Sequence, residues 1–254
     1  MNYKIKTLAI AVLMATGAGV ANANSQTCDV DMAYDVNLNG NEIVFTKNNQ
    51  ESVVIKDSNS LSLDGKAQRL TAKQVQLLHE YAEQVRELLP AASEIAEDAS
   101  LLALDAVRDV TSVLLEHNPA KAEEIIARVD TIAAELKKHI SDSHLRPEAI
   151  GDYLAGAEFE KEFEALMEES VTEFVQVNIP TMVAAAMSGN EEKVKAFEER
   201  MEKFGQEMES KYEAKAKIIE QKADALCDLV KQIEAKEDSF VNAFADYEKY
   251  QLIQ

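Results

Sequence analysis

Positive charge is scarce in this chain: 26 Lys and Arg stand against 46 Asp and Glu, a formal net charge of −20 over 254 residues. Affinity for a phosphate backbone comes from cationic side chains that displace condensed counterions, so the deficit argues against nucleic acid as a ligand. It argues in the same way against an anionic membrane surface. Cations, basic peptides and apolar segments of other proteins remain as plausible partners. Tryptophan is absent, and only eight Gly and four Pro interrupt the chain. Glycine this rare supplies no phosphate-cradling loop, no dinucleotide fingerprint and no Gly-x-Ser-x-Gly elbow. The composition favours long helices over successive loops. Beyond the first residues no stretch reaches the roughly 18 uninterrupted apolar residues of a membrane span. The nearest, 177–187, is broken by Asn178, Pro180 and Thr181, so no transmembrane anchor is expected.

The N-terminus reads as a secretory signal over residues 1–23. Lys4 and Lys6 precede a short apolar run, 8–20, and Ala21-Asn22-Ala23 supplies the small-x-small cleavage pattern. Cleavage between Ala23 and Asn24 releases a protein free in the periplasm, and removing the two lysines leaves it more acidic still. A lipid anchor is not expected, because Cys28 follows Ser25-Gln26-Thr27 instead of a small residue with Leu three positions before the cysteine. The two cysteines, Cys28 and Cys227, allow one intrachain pairing, and an exported chain meets an oxidising compartment. Closing so long a loop restricts the unfolded chain by at most roughly 5 kcal/mol in the entropy model.

Residues 24–70 form a β-rich segment. Val30, Met32, Tyr34, Val36 and Leu38 alternate with polar residues, and Ile43-Val44-Phe45 and Val53-Val54-Ile55 follow. Between them lie turn clusters such as Lys47-Asn48-Asn49-Gln50 and Asp57-Ser58-Asn59-Ser60, and Leu63-Asp64-Gly65-Lys66 adds a hairpin signal. The expectation is a small antiparallel meander of three to five strands.

Residues 71–254 form the helical domain, where the period shifts to about three and a half residues. Thr71-Ala72-Lys73-Gln74 has capping-box spacing. Val75, Leu78, Tyr81, Val85 and Leu88 follow on one face, and Pro90 is expected to kink or end that helix. A second helix runs on to about His117. Asn118-Pro119 opens the next, whose buried side is read through Ile140, and Arg146-Pro147 opens another that Pro180 interrupts. From Glu191 to about Lys236 one long helix carries a seam of Val194, Phe197, Met201, Phe204, Met208, Tyr212, Ala216, Ile219, Ala223, Leu226, Val230 and Ile233. Those steps of three and four describe a coiled-coil-like face. The fold class is therefore α+β, mainly α: a β-meander followed by an elongated antiparallel helical bundle built on one long C-terminal helix.

Asp35, Asn37, Asn39 and Gly40 match the first half of a calcium-binding loop. The twelfth position is Thr46, where a bidentate Glu belongs, and strand-like alternation flanks the motif, which favours a hairpin turn. His139 and His144 bracket Asp142, but five residues do not bring two imidazoles onto one helical face, and histidines near a helix C-terminus are favoured by its dipole. His79-Glu80 begins like a zinc-protease helix, yet Glu83 occupies the place of the second histidine. No catalytic motif emerges, and no cofactor is expected.

With Cys28, Leu63-Asp64-Gly65-Lys66, Leu70-Thr71-Ala72-Lys73-Gln74, Leu88-Leu89-Pro90 and the late Cys227 in order, the chain resembles the YggN-like family, periplasmic proteins of unknown function from Gram-negative bacteria. The resemblance implies an exported protein with a strand-rich start, a helical body and a cysteine pair joining the two. It assigns no catalytic or binding residue. Three functions follow in order of expectation: a protein-binding or chaperone-like factor that meets envelope proteins or unfolded clients, a divalent-cation binder, and an enzyme with an unrecognised site. The long seam could equally close within one chain or between two copies.

Overall fold

The computed structural model describes residues 32–253 apart from positions 117 and 189, so the leader at 1–23, Cys28 and Val30 lie outside the described residues. Strands β1 (Asp35–Asn39), β2 (Glu42–Lys47), β3 (Gln50–Lys56), β4 (Ser60–Leu63) and β5 (Lys66–Ala67) form the expected antiparallel meander. Its turns Asn48-Asn49, Asp57-Ser58 and Asp64-Gly65 each hold two successive residues at positive φ. That is the backbone of a type I′ hairpin, whose twist matches the strands it joins. Register follows from the apolar alternation. Val36 lies opposite Phe45, Phe45 opposite Val53 and Val53 opposite Leu63, while Leu38, Ile43, Ile55 and Leu61 make a second row. A slip of one residue would turn both rows to solvent.

The sheet has two further strands. β6 (Ile140–Ser141) and β7 (His144–Leu145) form a small hairpin whose β7 pairs with β1, giving the order β5-β4-β3-β2-β1-β7-β6. Ile140 therefore belongs to a strand and not to the buried side of a helix as the periodicity suggested. Its apolar side chain is buried all the same, with Leu145 beside it in the same core. An unpaired β1 edge leaves backbone donors and acceptors without partners, and this distant hairpin satisfies them.

The helices are α1 (Ala72–Leu114), α2 (Pro119–Lys137), α3 (Pro147–Leu154), α4 (Ala157–Met187) and α5 (Glu191–Ala243), and a 3₁₀ turn, Ala245–Tyr250, follows. The helix starts behave as their sequences require. Gln74 N–H donates to Thr71 Oγ1 and Thr71 N–H donates back to Gln74 Oε1, at 3.3 and 2.8 Å. Asn118 and Asn190 accept the amides of Lys121 and Lys193. Helix boundaries differ from those expected: α1 does not end at Pro90, α4 runs through Pro180, and the helix opened by Arg146-Pro147 ends at Leu154, with α4 starting anew at Ala157. A mid-helix proline costs about 3 kcal/mol. Around Pro90, Leu88, Leu89, Ala92 and Ile95 are all buried, and that packing outweighs the lost backbone bond. Helix α5 also outlasts the expected end near Lys236. At 53 residues it is the longest helix among the described residues.

The chain divides into two compact units. The first contains the sheet, the start of α1, residues Glu135–Leu154 and the chain from Glu220 onward. One core joins the inner face of the sheet to Leu78, Tyr81, Val85 and Leu89 of α1, Val230, Ile233 and Phe240 of α5, and Tyr247, Leu252 and Ile253 beyond it. Lys236 pairs with Glu80 and Lys222 with Glu94 and Asp98, so α1 and α5 run antiparallel there. The second unit, Ala99–Ala134 and Ala155–Ile219, has a smaller core of Leu115, Ile125 and Leu166. Within it Lys121 and Arg128 both reach Glu169, and Lys215, Lys211 and Arg200 pair with Asp105, Asp109 and Glu116. These solvated pairs set register more than stability.

Candidate functional site

The residues singled out from the sequence do not converge. Asp35, Asn37 and Asn39 occupy alternate positions of β1, opposite Thr46, Val44 and Glu42 of β2. Along an extended strand the first and last lie about 13 Å apart, whereas a calcium loop wraps such residues around one ion. The turn that follows is the β1–β2 hairpin, with Gly40 at φ 60. Arg86 of α1 holds it by donating to the carbonyls of Gly40 and Asn41, at 3.1 and 2.6 Å. Burial raises the Asp35 carboxyl above its ordinary range, and Arg146 opposes that rise.

His144 closes the β6–β7 hairpin. Its Nε2 lies 2.9 Å from the Lys138 carbonyl and its Nδ1 2.8 Å from Ser141 Oγ. A carbonyl only accepts, so Nε2–H donates to it. His144 thus caps the end of α2. Burial depresses the pKa of His139, against the pull of Glu135 at 4.0 Å. Among the described residues no three His, Cys, Asp or Glu side chains are grouped to hold a metal ion.

The most unusual polar cluster is one the sequence reading passed over. Glu237 of α5 is fully buried. It accepts the Tyr81 hydroxyl at 2.6 Å, the Leu252 amide at 2.7 Å and the Ile253 amide at 3.1 Å. Burial pushes its carboxyl up to about 7, while the Leu252, Tyr81 and Ile253 bonds pull the other way. The Tyr81 and Tyr247 hydroxyls are driven well above their usual range by the same burial. Around them Phe45, Tyr81, Tyr247 and Phe240 stack edge to face, with centroids 5.0 to 6.5 Å apart. The chain end is tied at further points: Ala33 N–H donates to the Leu252 carbonyl, Met32 bridges Ile253, and the Tyr250 hydroxyl donates to Asp64 at 2.6 Å. With its oxygens already taken by the chain's own donors and no solvent exposure, Glu237 acts as an internal lock on the C-terminal segment. A signal for it exists: Glu237 stands four residues after Ile233 and three before Phe240, on the apolar stripe.

Exposed large apolar side chains are concentrated on α4. From Thr172 to its end, its described exposed positions Thr172, Val175, Gln176, Ile179, Pro180, Val183, Ala184 and Met187 recur at alternating steps of three and one, which places them on one helical face. Val175, Ile179, Val183 and Met187 are 43%, 50%, 50% and 84% exposed, four of the six exposed large hydrophobic residues among those described. The same face continues toward the N-terminus through exposed Glu168 and Glu164.

A model of a protein family described only as of unknown function, DUF2884, matches residues 28–253. The chain belongs to the DUF2884 family. No curated protein matches it, and no solved structure does. Membership thus covers the meander, the helices and the locked C-terminal segment together, and attaches no activity to them. Among the described residues no helix is long and apolar enough to cross a membrane. Cys227, on α5, is buried, while its expected partner Cys28 lies outside the described residues.

Proposed function

We propose that this DUF2884 chain is an exported, non-enzymatic binding factor of the cell envelope, chaperone-like in action, which engages other polypeptides through the uncharged face of α4. The observation that carries this reading is the row Val175, Ile179, Val183 and Met187, left open to solvent at four-residue intervals. Contiguous apolar surface on a water-exposed helix is unfavourable in isolation and marks interaction sites. Scattered single hydrophobic residues carry no such meaning, but here four share one face. The leader-like start with Lys4, Lys6 and Ala21-Asn22-Ala23, and the likeness to YggN-like periplasmic proteins, support export.

The test is suppression of light scattering by a reduced, denatured client protein, with the full mature chain as the only addition. Protection is expected at stoichiometric amounts and is expected to be lost in Ile179→Asp/Val183→Asp, whose exposed sites leave the helix content seen by circular dichroism unchanged. Equal protection by the variant would sink the reading.

Export also implies that Cys28 and Cys227 are joined, and the absence of free cysteine among the described residues supports this. Cys227→Ser is then expected to lower stability by up to about 5 kcal/mol, the entropy of the released loop. The check is urea unfolding of oxidised, reduced and variant protein; two titratable thiols without reductant would contradict the pairing.

A further inference from the structure

We infer that the face of α4 takes an apolar polypeptide segment flanked on one side by basic residues; this rests on the protein-binding reading above and names the partner's chemistry. The apolar row from Val175 to Met187 extends about 18 Å along the helix. Beyond its N-terminal end the character reverses. Residues 158–173 of α4 carry seven glutamates and one lysine, Lys161. Glu168 and Glu164, both exposed, continue that face about two and three turns before Val175. Two cations that reach this stretch of α4, Lys121 and Arg128, are already engaged by Glu169. The surface is therefore an apolar strip with an acidic extension, and its complement is an apolar strip with a basic extension.

Other occupants fit less well. A second copy would bring the same acidic half, and stable dimers bury about 800 Å² per partner across some 20 to 30 residues, far more than four large side chains present. An anionic lipid surface would meet the glutamates with repulsion. A short peptide segment needs only the strip and its charged neighbour.

The experiment measures fluorescence anisotropy of two labelled peptides sharing one Leu/Val core, one flanked by four lysines and the other by four glutamates, titrated with the full mature chain. The lysine peptide is expected to bind saturably and at least tenfold more tightly. In Glu164→Lys/Glu168→Lys the order of the two peptides is expected to reverse, and in Ile179→Asp both are expected to weaken. Equal affinity for the two peptides, or an order unmoved by the lysine variant, overturns the inference. So does binding to phosphatidylglycerol vesicles without binding to the peptide, or self-association on sedimentation that Ile179→Asp abolishes. If client protection depends on Ile179 and Val183 while the two peptides bind alike, the protein-binding reading stands and only this inference falls. Protection indifferent to Ile179→Asp/Val183→Asp overturns the broader reading itself.

Discussion

Removing residues 245–254 is expected to unfold the sheet-bearing unit, although the deletion touches no strand of the meander and leaves α5 whole. The segment contributes Tyr247 and Leu252, both without solvent exposure, together with buried Tyr250 and Ile253. Truncating one large core residue to Ala costs about 2–5 kcal/mol. Losing several at once therefore approaches the roughly 5–15 kcal/mol that holds a whole domain together. The deletion also takes the Leu252 and Ile253 amides from Glu237 and leaves a buried carboxylate facing a gap. Urea titration followed by near-ultraviolet circular dichroism of the tyrosines gives the readout. Loss of the cooperative transition is expected for the deletion, while Leu252→Ala, which keeps both amides, keeps the transition and lowers the unfolding free energy by about 2–5 kcal/mol. A deletion variant melting like the intact chain would show that the tail only rests on the core.

Glu237→Gln is expected to remove a pH dependence as well as stability. In the folded chain burial holds the carboxyl at about 7, against 4.5 for an exposed glutamate. Between those two values the folded state keeps a proton that the unfolded state releases. Stability contributed by the protonated form is thus complete below the unfolded value and declines as pH rises toward the folded one. Across that window the change is roughly 3 kcal/mol. Carboxylates of the opposite kind, such as Glu80 beside Lys236 and Glu169 beside Lys121, lose stability as pH falls, so the wild-type curve alone mixes both signs. The difference between wild type and Glu237→Gln isolates the buried group. Glutamine is expected to cost about 1–3 kcal/mol more at pH 5 than a glance at its size suggests, because its NH₂ faces an amide donor. That cost is expected to shrink toward pH 8, where wild type carries the buried charge. Parallel curves for the two proteins would place the Glu237 titration outside this window.

The seam of α5 was readable residue by residue. Every position from Val194 to Ile233 assigned to it is at least partly buried, because a period near three and a half leaves one face for a helix to hide. The meander was readable for the corresponding reason at period two, and its I′ turns because Asn, Asp and Gly tolerate positive φ. Pro90 misled, since a proline's local cost is visible in the sequence and the packing of Leu88, Leu89, Ala92 and Ile95 that offsets it is not; for the helix running through exposed Pro180 the structure shows no such packing among the described residues. The β6–β7 hairpin misled similarly: two-residue strands have no period, and only the open edge of β1 makes Ile140-Ser141 and His144-Leu145 extended. The α4 row was visible as uncharged sequence around Pro180, but its exposure was not.

Local pattern by itself determined the class of this protein, because burial periodicity, capping residues and turn chemistry act over a few positions and are written there. It also determined the acidic balance, from which the expectation against phosphate-rich ligands was drawn. Tertiary structure alone decided that a glutamate late in α5 would be sealed among tyrosines beneath the end of the chain, and that four apolar residues of α4 would be left in water. Both outcomes depend on which surfaces meet across long separations in sequence, and solvent access is a property of the packed unit, not of any segment within it.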